Sequence, residues 1–457
     1  MRRRDLLRAG GATVLALSAG RAGAQTATDA DDSFEPLGRL TLPGAKELVA
    51  DGDISYVATT DGFAVVDTAD PADPTLLAER RDLLAEHPDG PLVDVFDGKL
   101  GGDYYALGAP GEPLDGVPYA AVVFDVSDPA DPQRVLAHET DFFHHNLDTD
   151  GETLYLCGND GDRNPLVCVD VESGEELSRW SVLDADERWA EVHPSLRQIH
   201  DVTVADGVAY CSYWEAGTWL VDVSDPSNPT PLVQLRGRDI ETLADIDSQS
   251  ERRAALYSLP GNDHFAVPRG GADGPLLALN EEAWATEADA TSAALGGVEL
   301  WDREAEERLS RIEAPPTPDP TFGGVWTTSH NFDYVGDRLY TAWYRGGVKV
   351  HDVSDPRKPR ELAHWRDTPT TDFWTAQGAG DHVVASSWRD FSTGDPEEGA
   401  AIYTFPTVAS STPTPSATDP PATDGGTDTT DGSGAGFGAL AAGAGLGAAA
   451  LWRRLQD

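Results

Sequence analysis

Lysine is almost missing. Of 33 basic residues only Lys46, Lys99, Lys349 and Lys358 are lysines, against 79 acidic side chains and a formal net charge of −46. A chain this poor in positive charge cannot neutralise phosphates, which excludes a nucleic-acid binder of the usual electrostatic kind. Cysteine is scarce too. Cys157, Cys168 and Cys211 are too few for a disulfide scaffold and show no C-x-x-C spacing for metal or redox work. Each sits in an apolar run, so buried free thiols are expected, with a Cys157–Cys168 cross-strand bridge as the alternative. The sequence also lacks an N-x-S/T sequon, the nearest being Asn228-Pro229-Thr230. It has no G-x-S-x-G, H-E-x-x-H, phosphate loop or dinucleotide fingerprint, which disfavours serine hydrolases, zincins and NTPases.

What is present is enough to fold. At 457 residues the chain is about three times a typical domain, although repeat-built β domains routinely exceed that size. Strong charge would suit disorder, but 40% hydrophobic residues, with 12 Trp, 12 Tyr and 13 Phe, can build a large core. An acidic, lysine-poor, globular chain fits a high-salt setting, where ions screen its self-repulsion, and reads as haloarchaeal.

The two ends are not domains. Residues 1–24 have a basic start, a short weakly apolar stretch and a small-residue cleavage pattern at Ala22-Gly23-Ala24, as in a signal peptide. Arg3-Arg4-Asp5-Leu6-Leu7 resembles the twin-arginine export motif. Residues 25–35 read as a linker. Residues 407–433 are rich in Thr, Pro and Asp, lack large apolar side chains and read as a stalk. Beyond them, residues 434–452 form an uncharged run of 19, long enough to span about 30 Å as a helix, and Arg453 and Arg454 follow. Stalk, apolar run and terminal arginines resemble the tripartite sorting signals of haloarchaeal surface proteins, with Ala435-Gly436-Phe437 where those have Pro-Gly-Phe. The resemblance implies an outer-surface protein held by a membrane or lipid anchor, so the membrane is an expected partner through residues 434–457.

Between the ends lies a repeat. Asp67-x-x-Asp70-Pro71-x-x-Pro74 recurs with the same spacing from Asp125, Asp222 and Asp352, each time after a β-branched strand: GFAVVD, YAAVVFD, GTWLVD, GGVKVHD. Residues 165–180 and 296–313 keep the strand without the prolines. A second strand precedes each of these, and a third, ending at a Gly, opens the unit. Four short strands in about 40 to 60 residues match a propeller blade. The strands VVFDVSDP and WLVDVSDP resemble the LVIVD-repeat family of β-propellers, over roughly residues 36–406. Units start near Ala45, Leu92, Phe143, Gln198, Asp263, Thr328 and Phe373, which predicts an all-β, seven-bladed propeller. The last unit lacks an outermost strand, and residues 36–42 are a strand without a unit. Pairing them closes the ring and removes an exposed edge.

The innermost strands carry the chemistry. His145, His200 and His330 stand at one register, with His144 beside the first and His264 opening the fifth unit. Imidazole is a common ligand for Cu, Fe and Zn, so His144, His145, His200, His264 and His330 are candidate metal ligands, with Glu281 or Glu282 as a carboxylate ligand or general base; the alternatives are histidines that hydrogen-bond within their own blades, or a His-lined pocket for an anionic or polar ligand. Blades one, two and seven offer Lys46, Asp94 and Trp374 at this level. Asn146, Asp201 and Asn331 follow the histidines, and strand alternation favours blade packing for them, with support of the ligands as the alternative. The long insertions at 184–197, 238–262, 284–295 and 314–327 all map to the histidine face, and 239–257 has helical spacing suited to a lid. Two functions fit: a surface-anchored binding or scaffold propeller for a partner or small ligand, and a metal-dependent enzyme such as an oxidoreductase. The absence of a catalytic motif favours the first.

Overall fold

The computed structural model describes residues 34–271 and 274–408; residues 1–33 and 409–457, which carry the export reading, most of the linker, the anchoring and most of the stalk readings, lie outside it. The described residues form seven four-stranded antiparallel sheets, arranged as the blades of a propeller. Blade 1 comprises Ala45–Asp51, Ile54–Thr59, Gly62–Asp67 and Thr75–Arg80, running from the innermost strand outward. The innermost strands of blades 2 to 7 are Gly98–Gly101, Leu147–Thr149, Asp201–Ala205, Asp263–Pro268, Phe332–Val335 and Phe373–Ala379. Three expected unit starts, Ala45, Asp263 and Phe373, open these strands, and the other four fall in the loops that feed them. Blade 7 closes as expected. Its outermost strand is the N-terminal Gly38–Thr41, paired with Ala401–Pro406 in the register Gly38↔Thr404 to Thr41↔Ala401.

The core is divided among the seven joints between blades. Tyr56, Phe63 and Val65 of blade 1 meet Tyr105, Leu107 and Phe124 of blade 2. At the closing joint Leu48, Val57 and Val66 meet Val384 and Ile402. Each such side chain contributes about 1.5–3 kcal/mol on leaving water, and because every joint has its own cluster no blade depends on one shared centre. Two third strands, Gly62–Asp67 and Gly217–Asp222, open on glycine for a steric reason. A Cβ on Gly217, at φ +84°, would lie 1.6 Å from the Arg236 carbonyl, just past the adjacent outer strand Thr230–Gln234.

The Asp-Pro repeat is a clasp. The first Asp accepts from the backbone two residues on, Asp125 from Ser127 N–H at 3.0 Å and from its hydroxyl at 2.6 Å, with the same pattern at Asp222 and Asp352. The second Asp does likewise, as Asp128 accepts from Ala130 N–H at 3.1 Å. These stacked Asx turns present the proline carbonyl to the preceding blade. Ser178 donates to Pro226 O and Ser310 to Pro356 O, both at 2.6 Å, Arg80 donates to Pro132 O at 3.0 Å, and Thr404 donates to Pro71 O.

All three cysteines are buried free thiols, as expected. The alternative bridge fails on register, because Cys168 pairs with Tyr155 and Cys157 with Leu166. The insertion read as helical forms Ile240–Ala244 and Gln249–Tyr257, the second started by a capping box between Ser248 and Glu251. No helix among the described residues is long and apolar enough to cross a membrane.

Candidate functional site

Strand alternation and the sevenfold repeat bring one side chain per blade to the same level of the central channel. Ring centroids run His145 to His200 at 4.6 Å, His200 to His264 at 4.2 Å, His264 to His330 at 4.5 Å, and His330 to Trp374 at 4.4 Å. Phe96 completes the circle, 5.9 Å from Trp374 and 5.2 Å from His145, and Lys46 Nζ lies 4.9 Å from the Phe96 ring. The blade 2 member is thus Phe96. Asp94, expected there, lines the cavity above instead.

Neighbouring backbone fixes the imidazoles. His145 Nδ1–H donates to Gly111 O at 2.8 Å, His200 Nδ1–H to His264 O at 3.1 Å, and His330 Nδ1–H to Trp374 O at 2.6 Å. A carbonyl can only accept, so in each ring Nδ1 carries the proton and Nε2 the lone pair. These bonds cross between blades. Burial, together with neighbouring histidines, holds His200 and His330 well below the ordinary imidazole range, and burial brings His264 down to about 3, so all three are neutral at pH 7. His264 differs in its contacts: its Nδ1 is buried without a hydrogen-bond partner and faces Glu282 Oε2 at 3.4 Å.

Two expected site residues stand elsewhere. His144 turns away from the channel, lies tilted with its ring centroid 5.1 Å from that of Phe142 and shares a 2.7 Å hydrogen bond between its Nε2 and Thr140 Oγ1. Glu281 is held by Arg236 at 2.8 Å and Arg311 at 3.5 Å, inside a buried network with Asp263 and Glu299. One residue on, alternation turns Glu282 toward the histidines, where it also accepts from the Tyr344 hydroxyl. Its backbone is clamped, since Glu282 N–H donates to Asn262 O at 3.0 Å and the Asn262 amide donates to Glu282 O.

Aromatic side chains from the turns between second and third strands frame the ring. Trp214 stacks on His200 at 5.6 Å and 25°, and Tyr344 lies 4.8 Å from His330. Both residues, like Asn262, hold positive φ, at 30°, 46° and 61°, a conformation that costs on the order of 1–3 kcal/mol and clusters at functional sites. The sequence carries the signal in YWEAG and WYRGG, aromatics seated in turns.

Above the ring lies a cavity of about 1170 Å³. Its floor includes Phe143, His145, His200 and Trp214, and the helix Gln249–Tyr257 roofs it with Arg252 and Tyr257. His193, from the 184–197 insertion, forms part of the wall. Below the ring is a polar tier. Lys99 Nζ donates to Asp97 at 2.6 Å and lies 3.4 Å from Glu47, and the Asn331 amide reaches Glu47 at 2.8 Å. Burial pushes the Glu47 carboxyl up to about 7 despite Lys99, and holds Asp201 well above the carboxylate range. Asn331 thus crosses to blade 1 and does not pack within its own joint, whereas Asn146 ties blade 3 to blade 4 by donating to His200 O at 2.7 Å.

The LVIVD repeat matches residues 44–79 and 197–233. Two of the seven blades, the first and the fourth, therefore match the LVIVD repeat. Among solved structures the chain is similar to the computationally designed Ika8 protein, at 11% identity and a TM-score of 0.44, over 81% of this chain and 98% of that one. No curated protein matches.

Proposed function

We propose that the protein is an exported, surface-tethered LVIVD-repeat propeller that captures a small ligand in the cavity on its histidine face. The observation that carries the reading is the cavity itself. At about 1170 Å³ it exceeds the usual ~300–1,000 Å³ of small-molecule sites, and it combines aromatic walls with a few converging polar groups under a helical roof. The rest of the ring is built from turns and clasps that serve the fold, so the long insertions are the part left for recognition. Export and tethering rest on the twin-arginine-like start and on the stalk and apolar run at the end. A second reading, a metal-dependent enzyme, is favoured by the donor groups that meet at the cavity floor.

A thermal-shift screen of small metabolites against the full chain in molar salt tests the capture. Ligands that raise the unfolding midpoint of the parent should lose that effect in Trp214→Ala, which opens the floor without touching a clasp. Ligands that stabilise both proteins equally would place recognition elsewhere and end this reading. The location is checked by protease treatment of intact cells, which should release the propeller; a wholly protected protein would contradict export.

A further inference from the structure

We propose that His200, His264 and Glu282 form a binding site for one divalent first-row transition ion at the floor of the cavity. Among the described residues this is the one grouping of three such side chains whose donor atoms all lie within 4.8 Å of one another. The separation that matters most is already that of a chelate. Two ligands held about 2.0–2.2 Å from one ion at a tetrahedral angle sit roughly 3.4 Å apart, and His264 Nδ1 lies 3.4 Å from Glu282 Oε2.

The contact makes poor sense without a cation. His264 is only 2% exposed, and its Nδ1 has no hydrogen-bond partner, so a buried nitrogen is left beside a carboxylate oxygen too far away to accept from it. An ion between them would satisfy both. His200 is prepared to join, because its Nδ1–H is spent on the His264 carbonyl at 3.1 Å, leaving Nε2 as the free donor. A ligand imidazole whose other nitrogen is held by a backbone carbonyl is the usual supporting arrangement of a metal site. Glu282 is prepared as well, by the Tyr344 hydroxyl on its other oxygen and by the Asn262 clamp on its backbone. His145 and His330, with Nδ1 bonded in the same way, flank the group.

Two imidazoles and a carboxylate suit Zn²⁺ and Fe²⁺, and three protein ligands leave positions open for a water or a bound molecule. His200 also lines the cavity, so those positions adjoin the ligand space. The metal site does not depend on the capture reading, since Trp214 reports on one and Glu282 on the other.

The test is titration of the full chain, stripped with a chelator and returned to molar salt, with Zn²⁺ alone, followed by calorimetry and by metal content after gel filtration. One equivalent should bind. Glu282→Gln and His264→Gln should each weaken binding at least 100-fold, and Tyr344→Phe about tenfold through the support of Glu282. His144→Gln, outside the group, should bind like the parent. Thermal unfolding in chelator checks that each variant folds, and Glu282→Gln, closest in shape to the parent, decides the matter if His264→Gln does not. Failure of the parent to bind a stoichiometric ion, or undiminished binding by Glu282→Gln, would overturn the proposal.

Discussion

His144 and His145 are neighbours in sequence with opposite fates, and the difference comes from the backbone around them. Gly108 leaves the space His144 fills, since a Cβ there would stand 2.6 Å from the His144 Cβ. His144 is therefore packing, and burial brings it down to about 3. A base with a depressed folded pKa is neutral in the native state and takes up a proton only on unfolding. Its contribution is intact above the unfolded value of about 6.5 and is lost as pH falls from there toward 3. The stability of the parent relative to His144→Gln should thus fall by about 2 kcal/mol between pH 7 and pH 5, measured by denaturant unfolding of both proteins at each pH. A gap that does not change with pH would mean that His144 is solvated. The same scale shows why Glu282 was harder to read than the histidines. Two adjacent glutamates look alike in a sequence, and only the positions of Arg236 and Arg311 decide which one is tied up.

At the level of elements, the Asp-Pro motif was legible as a turn but not as a clasp. The turn is local chemistry, an Asp side chain bonding two residues ahead. Its partner is a serine, threonine or arginine about 50 residues away or, for Pro71, at the far end of the domain, and no short window contains both. Ser178→Ala and Ser310→Ala should each cost about 1 kcal/mol, the net worth of a partly buried hydrogen bond. The sites are in different joints, so the double variant should cost the sum. Chemical denaturation of the four proteins checks this; a double variant no weaker than either single one would show that the clasps do not hold the joints. The helical insertion was legible from its spacing over residues 239–257, whereas the capping box between Ser248 and Glu251 that starts its second helix is a finding of the structure. The blade 2 ring residue was missed because the loop before Gly98 is irregular, so counting along it placed Asp94 where Phe96 stands.

For the whole molecule, the strand left over at the beginning and the strand missing at the end predicted the closure, which is a matter of counting and hence visible in sequence. The ring then does what single residues cannot. It sets seven side chains at one level, and in four consecutive blades that side chain is an imidazole. The register of His145, His200 and His330 made the cluster legible. Its supporting carbonyls come from neighbouring blades and appear only in the fold, whereas Trp214, Tyr344 and Glu282 each share a blade with the histidine they meet, and only the folded turns bring them to it. The most direct measurement of the account is anomalous diffraction from crystals of the full chain loaded with Zn²⁺, collected above and below the zinc edge. It predicts the strongest anomalous peak between His200, His264 and Glu282 at the cavity floor. A strongest peak among the Asp-rich turns of the opposite face, or no peak at the floor, would contradict it.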